Sequence, residues 1–417
     1  MTQQLTVQQH EYGPLLRFIN FLATGLEALP LGLGGELDAD GILHAARRRA
    51  GLEHFGDNYF QGPLKQILRH ANAAGFTALG RVSAQQSLIH AASNRLYIEQ
   101  HLNNYPRIRN TPIRRPIFIL GFPRTGTTLL QNLLALNPRR RALQMWELNR
   151  PVPVHPDPDE DARLRLRSAD RVLSFAYLLA PEMRYIHEIK STTYEECWPL
   201  FFNTFMVMNY DFQASLKGFG DWLMTRDMTP AYQDYRTQLQ ILQQRAPDAD
   251  LVLKCPEHLW FVDALLAVFP DACIVWTHRD PLASIASYCS LISIQHRMLF
   301  GGFDPHKLGT HITDRFHHGV TRAMASRDRH DRPEQFIDVD FKALVDDPVK
   351  SLREIYAHFE MDFPDNMNAQ VTQWLSTARA DKRGRHHYSA ERYGLDTEAI
   401  DAQYADYIER FSIPLAR

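Results

Sequence analysis

The loop Phe122-Pro123-Arg124-Thr125-Gly126-Thr127-Thr128 holds residue types suited to gripping an anion. Arg124 brings a guanidinium into the loop, and Thr127 and Thr128 add hydroxyls at its close. Two glycines, Gly121 and Gly126, have four residues between them, as in a Walker A loop. The residue after Gly126 is Thr127, where a nucleoside triphosphatase would place the lysine that meets the outer phosphates. The positive charge sits inside the loop instead. This pattern implies a phosphorylated anion other than ATP, held by Arg124 and by Thr125, Gly126, Thr127 and Thr128.

The flanking residues say how the loop is held. Ile117 to Leu120 is an apolar run that suits a fully buried strand. From Thr127 the spacing of Leu129, Leu130, Leu133, Leu134 and Leu136 predicts a helix, stopped by Asn137-Pro138. A helix that opens on a loop offers unpaired first-turn N–H groups and the positive end of its dipole. The alternation continues downstream. Leu251 to Leu253 reads as a short buried strand ending in Lys254, with a helix expected from about Glu257 to Val268. Cys273 to His278 reads as another strand, followed by Arg279, the N-cap Asp280 and the first-turn Pro281 of a further helix. Gln335 to Phe341 reads as a strand and Asp347-Pro348 as a helix start. Strand, helix, strand, helix implies an α/β fold with a parallel, P-loop-like central sheet between helical layers.

Residues 1–112 read as a helical N-terminal region, with Asp38 or Asp40 as a cap and a helix expected from about Ser83 to Leu102. The α/β domain is then expected over 113–417. The chain of 417 residues is long enough for a large core. Lys plus Arg number 46 against 48 for Asp plus Glu, so no global basic excess points to nucleic acid. The cysteines Cys197, Cys255, Cys273 and Cys289 form no C-x-x-C pair, which fits a reduced, cytoplasmic setting. The apolar stretch Leu15 to Leu33 is interrupted by Arg17, Asn20, Glu27 and Pro30, too polar to span a bilayer or act as a signal peptide. His317-His318 and His386-His387 are adjacent pairs, a poor spacing for a metal centre.

The motif FPRTGTTLL resembles the 5′-phosphosulfate loop of sulfotransferases that use 3′-phosphoadenosine 5′-phosphosulfate. An arginine within the loop is more similar to the bacterial and tyrosylprotein branches than to the cytosolic small-molecule branch. The resemblance covers about 116–395 and implies further roles. Arg279 and Ser287 look like the family's 3′-phosphate site. Lys254, twenty-five residues before Arg279, looks like the strand-end catalytic lysine. With Arg124 it would stabilise charge on the leaving phosphate. Glu147, shortly past the loop helix, is similar in position to a general base of the tyrosylprotein branch; His187 is a second candidate. Arg383, Gly384 and Arg385 resemble the basic segment that closes over the nucleotide. The implied reaction moves a sulfuryl group to an acceptor hydroxyl or amine of a small molecule, lipid or glycan, with no metal required. Phe201, Phe202, Phe205, Met206 and Met208 suit a core or an apolar acceptor pocket equally. The alternatives are a nucleotide-dependent kinase and a nucleotide-binding protein without turnover.

Overall fold

In the computed structural model the described residues are 14–27, 36–186, 188–380 and 389–415. Five parallel strands form the sheet: β1 (Ile117–Gly121), β2 (Arg140–Ala142), β3 (Asp250–Lys254), β4 (Cys273–His278) and β5 (Phe336–Asp340). Their order is β2-β3-β1-β4-β5. The α/β reading of the sequence therefore holds. One strand was not foreseen. β2 is three residues of Arg-Arg-Ala on the sheet edge, with no apolar run to announce it. Its pairing is supported from the side, where Arg140 forms an ion pair with Asp250 of β3 at 3.0 Å.

Alternate residues of β1 enter opposite cores. Ile117 and Ile119 pack with Leu130, Leu133 and Leu134 of the loop helix and with Leu352 and Ile355. Phe118 and Leu120 face a larger core. That core runs without a break into Ile42, Leu64, Leu88 and Leu96 of the N-terminal helices. Helices thus cover both faces of the sheet, as an all-parallel sheet requires.

The local stops follow the sequence closely. Asp38 is the N-cap of Ala39–Ala50, and the helix expected from Ser83 runs Ala78–Asn104. Asp280 caps Pro281–Phe300 by accepting from the Leu282 amide at 2.9 Å. The helix expected from Glu257 divides in two. A 3-10 turn, Pro256–Trp260, precedes the helix Val262–Val268. The turn is fixed by its side chains: the buried Glu257 carboxyl accepts from the Met208 amide, and the Trp260 indole donates to the Arg315 carbonyl at 3.2 Å.

The strand order sets the site. β1 lies between β3 and β4, with Ile119 opposite Lys254 and Gly121 opposite Thr277. Parallel strands in this register put the loop after β1, Lys254 of β3 and Arg279 after β4 on one edge. Ligands of open α/β sheets bind outside the carboxyl ends of the strands.

Candidate active site

The loop after β1 is held in a conformation few side chains adopt. Gly121 has φ 145°, Gly126 has φ 88°, and Arg124, a non-glycine, has φ 74°. A Cβ on Gly121 would collide with the Thr277 hydroxyl and carbonyl on β4, so strand pairing itself demands glycine there. Positive φ at an arginine costs conformational energy and marks a position whose surroundings over-determine it.

Those surroundings are the other predicted site residues. Arg124 Nε donates to Ser287 Oγ at 3.1 Å, and Arg279 donates to the Arg124 carbonyl at 2.7 Å. The Arg279 guanidinium also lies over the Phe341 ring, 4.4 Å from its centroid. Phe341 directly follows β5. Residues from two distant parts of the sequence, Arg124 on one side and Arg279 with Ser287 on the other, therefore form one polar cluster. The Thr125 hydroxyl is turned inward: it donates to the Phe122 carbonyl and shares a 2.6 Å hydrogen bond with Thr277. Thr125 shapes the loop through its side chain and leaves only its backbone for a ligand. Gly126 is the N-cap of the helix Thr127–Leu134 and has no side chain to cap the first-turn amides.

Lys254 is fully buried, and its ammonium donates to Thr128 Oγ1 at 3.2 Å and to Glu196 Oε1 at 3.3 Å. Glu196 also accepts from the Trp198 indole, and its side chain is 23% exposed. Backbone bonds pin the chain on both sides of Glu196. The Glu195 amide donates to the Leu143 carbonyl at 3.1 Å, and the Cys197 amide to the Lys254 carbonyl at 3.0 Å. A cavity of about 430 Å³ opens over this group. Its polar lining includes Arg124, Gly126, Thr127, Thr128, Glu196 and Arg279. Its apolar lining includes Met145, Met183, Ile189, Phe202, Tyr288 and Leu291. Of the apolar segment singled out in the sequence, Phe202 alone lines the cavity, while Phe201, Phe205, Met206 and Met208 are core.

Glu147 is elsewhere. It is buried, pairs with Arg141, and accepts from the Gln144 amide at 3.0 Å in a capping box. One oxygen meets Arg141 of β2 and the other the Gln144 amide, and Glu147 is not among the residues that line the cavity. His187 and Arg383, Gly384 and Arg385 lie outside the described residues. Glu196 was visible in the sequence only as one acid of a Glu-Glu pair. The cysteines beside Lys254 are held toward the thiol form. Burial pushes the Cys197 thiol up to about 11 and the Cys255 thiol well up. All four cysteines are buried and unbridged. Among the described residues no cluster of His, Cys, Asp and Glu is arranged to hold a metal ion, and no helix is long and apolar enough to cross a membrane.

Residues 116–365 match the model of the sulfotransferase family. A crystal structure of the sulfotransferase STF1 of Mycobacterium tuberculosis H37Rv superposes with a TM-score of 0.80 at 30% identity, over 89% of this chain and 99% of that one. The chain belongs to the sulfotransferase family, enzymes of sulfuryl transfer. Omega-hydroxy-beta-dihydromenaquinone-9 sulfotransferase Stf3 of Mycobacterium bovis is 23% identical, over 71% of this chain and 74% of its own length. An uncharacterized protein of Aquifex aeolicus is 22% identical over 65% of this chain, and the match spans only 28% of that longer protein.

Proposed function

We propose that the protein transfers a sulfuryl group from 3′-phosphoadenosine 5′-phosphosulfate to the hydroxyl of an apolar, lipid-like acceptor. The carrying observation is the meeting of Arg124, Arg279 and Ser287 beside Lys254–Glu196, under one cavity with a largely apolar wall. The donor set suits the nucleotide. It combines two guanidiniums, a buried ammonium, a serine hydroxyl and the uncapped amides of a helix start, and every one favours an anion. When bound, the nucleotide supplies an activated sulfuryl group on a phosphate leaving group.

The chain's own residues do the rest. Arg279 and Ser287 hold the 3′-phosphate, and Arg124 with the amides of Gly126 to Thr128 holds the phosphosulfate. Lys254 offsets charge at the leaving oxygen from a buried position, where water screens it least. Glu196 receives the acceptor's proton at Oε1 or Oε2, the role for which Glu147 and His187 were the sequence candidates. Lys254 keeps the Glu196 carboxylate aimed. Met183, Ile189, Phe202 and Leu291 favour an acceptor with an apolar body, and the mycobacterial relative is named for a menaquinone derivative. The unbridged cysteines suit a cytoplasmic reaction.

The test is transfer of labelled sulfate from the nucleotide donor to two acceptor sets, isoprenoid or fatty alcohols and hydrophilic sugars. Product from the apolar set alone is the expected result. Transfer only to sugars overturns the acceptor assignment, and phosphoryl transfer from ATP overturns the reaction itself.

A further inference from the structure

One surface helix carries exposed large apolar side chains beside arginines. Pro158–Leu179 buries Asp161, Arg165, Ala169 and Leu179, and its other side is not uniformly polar. Leu164, Val172, Phe175 and Leu178 are exposed, with Phe175 at 54% and Leu178 at 53%. Leu164, Arg167, Arg171, Phe175 and Leu178 recur at i, i+3, i+7, i+11 and i+14, which places them on one outward stripe. The stripe thus has arginines at its middle and large apolar side chains toward the helix end. Asp170, the exposed acid of this stretch, lies about a quarter turn round the helix from the stripe.

The apolar end of this helix is tied to the cavity. The Tyr177 hydroxyl bonds the Ile189 carbonyl at 2.7 Å and the Ile189 amide at 2.6 Å, and Ile189 lines the cavity. Arg184, also exposed, lies over the Tyr177 ring at 4.8 Å. Just beyond the helix, Ala180 and Met183 pack on Leu291 and Ile294 of Pro281–Phe300, and Met183 and Leu291 are cavity wall as well.

We propose that this stripe is a docking face for an anionic lipid bilayer surface. The apolar side chains Phe175 and Leu178 enter the headgroup boundary, and Arg167, Arg171 and Arg184 meet the lipid phosphates. An interfacial helix needs this pairing of an apolar face with basic residues. Docking would set the apolar wall of the cavity against the membrane, so that an acceptor with a long apolar tail reaches Glu196 without crossing water. The surface contact does not depend on the sulfuryl-transfer reading and can be measured without turnover.

The experiment is flotation of the full chain with vesicles of phosphatidylglycerol and phosphatidylcholine in equal parts, against phosphatidylcholine alone. Wild type is expected to float with the anionic vesicles and to be released by high salt. Phe175→Ser with Leu178→Ser, and separately Arg167→Glu with Arg171→Glu, should each lower the partition coefficient by about tenfold or more. Binding of adenosine 3′,5′-bisphosphate should be unchanged in both, which certifies the fold and leaves the donor site out of the comparison. Equal flotation of wild type and variants overturns the proposal, as does wild type that stays unbound. A concentration-dependent dimer that Phe175→Ser abolishes would assign the stripe to a second copy of the chain instead.

Discussion

The proposed donor end of the cavity and its proposed acceptor wall are made differently. The donor end comes from strand ends. Its loop, Lys254 and Arg279 are set by the register of β1 with β3 and β4, and they bond one another across more than a hundred residues of sequence. The acceptor wall comes from short helices and turns between Met183 and Phe202, together with one face of Pro281–Phe300. A phosphate-bearing donor has fixed charge and asks for fixed donors on rigid elements. An apolar acceptor asks for shape, which many side chains can supply. One end can therefore hold constant chemistry while the other varies.

Glu196 sits where the two ends meet, and its replacement should have the largest effect. Glu196→Gln should lower kcat by about 10²- to 10⁴-fold with KM for the donor little changed. Glu147→Gln makes the contrast. It should cost roughly 1–3 kcal/mol of stability by removing the buried charge that Arg141 meets, while folded enzyme keeps its turnover. Turnover against denaturant midpoint for both variants separates the roles; loss of turnover in the Glu147 variant alone would return the base to the sequence's first candidate.

Lys254→Met keeps the length of the buried stem and removes the charge. A kcat loss of about 10²- to 10³-fold is expected, measured under saturating donor. A change confined to donor KM would make Lys254 a binding residue only. Next in size is Gly121→Ala, where the new Cβ meets Thr277 and the backbone is held at φ 145°. A stability loss of about 1–3 kcal/mol should appear in urea titration, together with weaker nucleotide binding. An alanine variant as stable as wild type would mean that the loop is not fixed by β4.

The smallest effect lies beneath the site. Burial holds the Glu257 carboxyl well above the ordinary carboxylate range, so the folded state keeps a proton that the unfolded state has lost. Its contribution to stability is full below about pH 4.3 and declines as pH rises toward the raised folded value. Glu257→Gln should flatten that decline in urea midpoints taken across pH, with little change at the acid end. An unchanged slope would show that Glu257 is ionised in the fold.

Much of the donor end was legible in the sequence because its signals are local. A buried apolar run, a glycine-bounded loop and the Asp280-Pro281 helix start each declare themselves within a few residues. β2 was not legible, since three edge residues gain their pairing from β3 and an ion pair. Nor was the place of Glu147. Its capping role and its distance from a cleft look the same in sequence as a catalytic placement. Glu196 is set by long-range bonds to Leu143 and Lys254, which no local pattern records.

The most direct measurement is calorimetric binding of adenosine 3′,5′-bisphosphate against ADP and ATP, with and without magnesium, to wild type and to Arg279→Ala. A preference of wild type for the 3′,5′-bisphosphate, unaffected by magnesium and lost in the variant, is the predicted result. A preference for ATP with magnesium, or a variant that binds the bisphosphate as wild type does, would contradict the assignment of Arg279, Ser287 and Arg124 to the donor nucleotide.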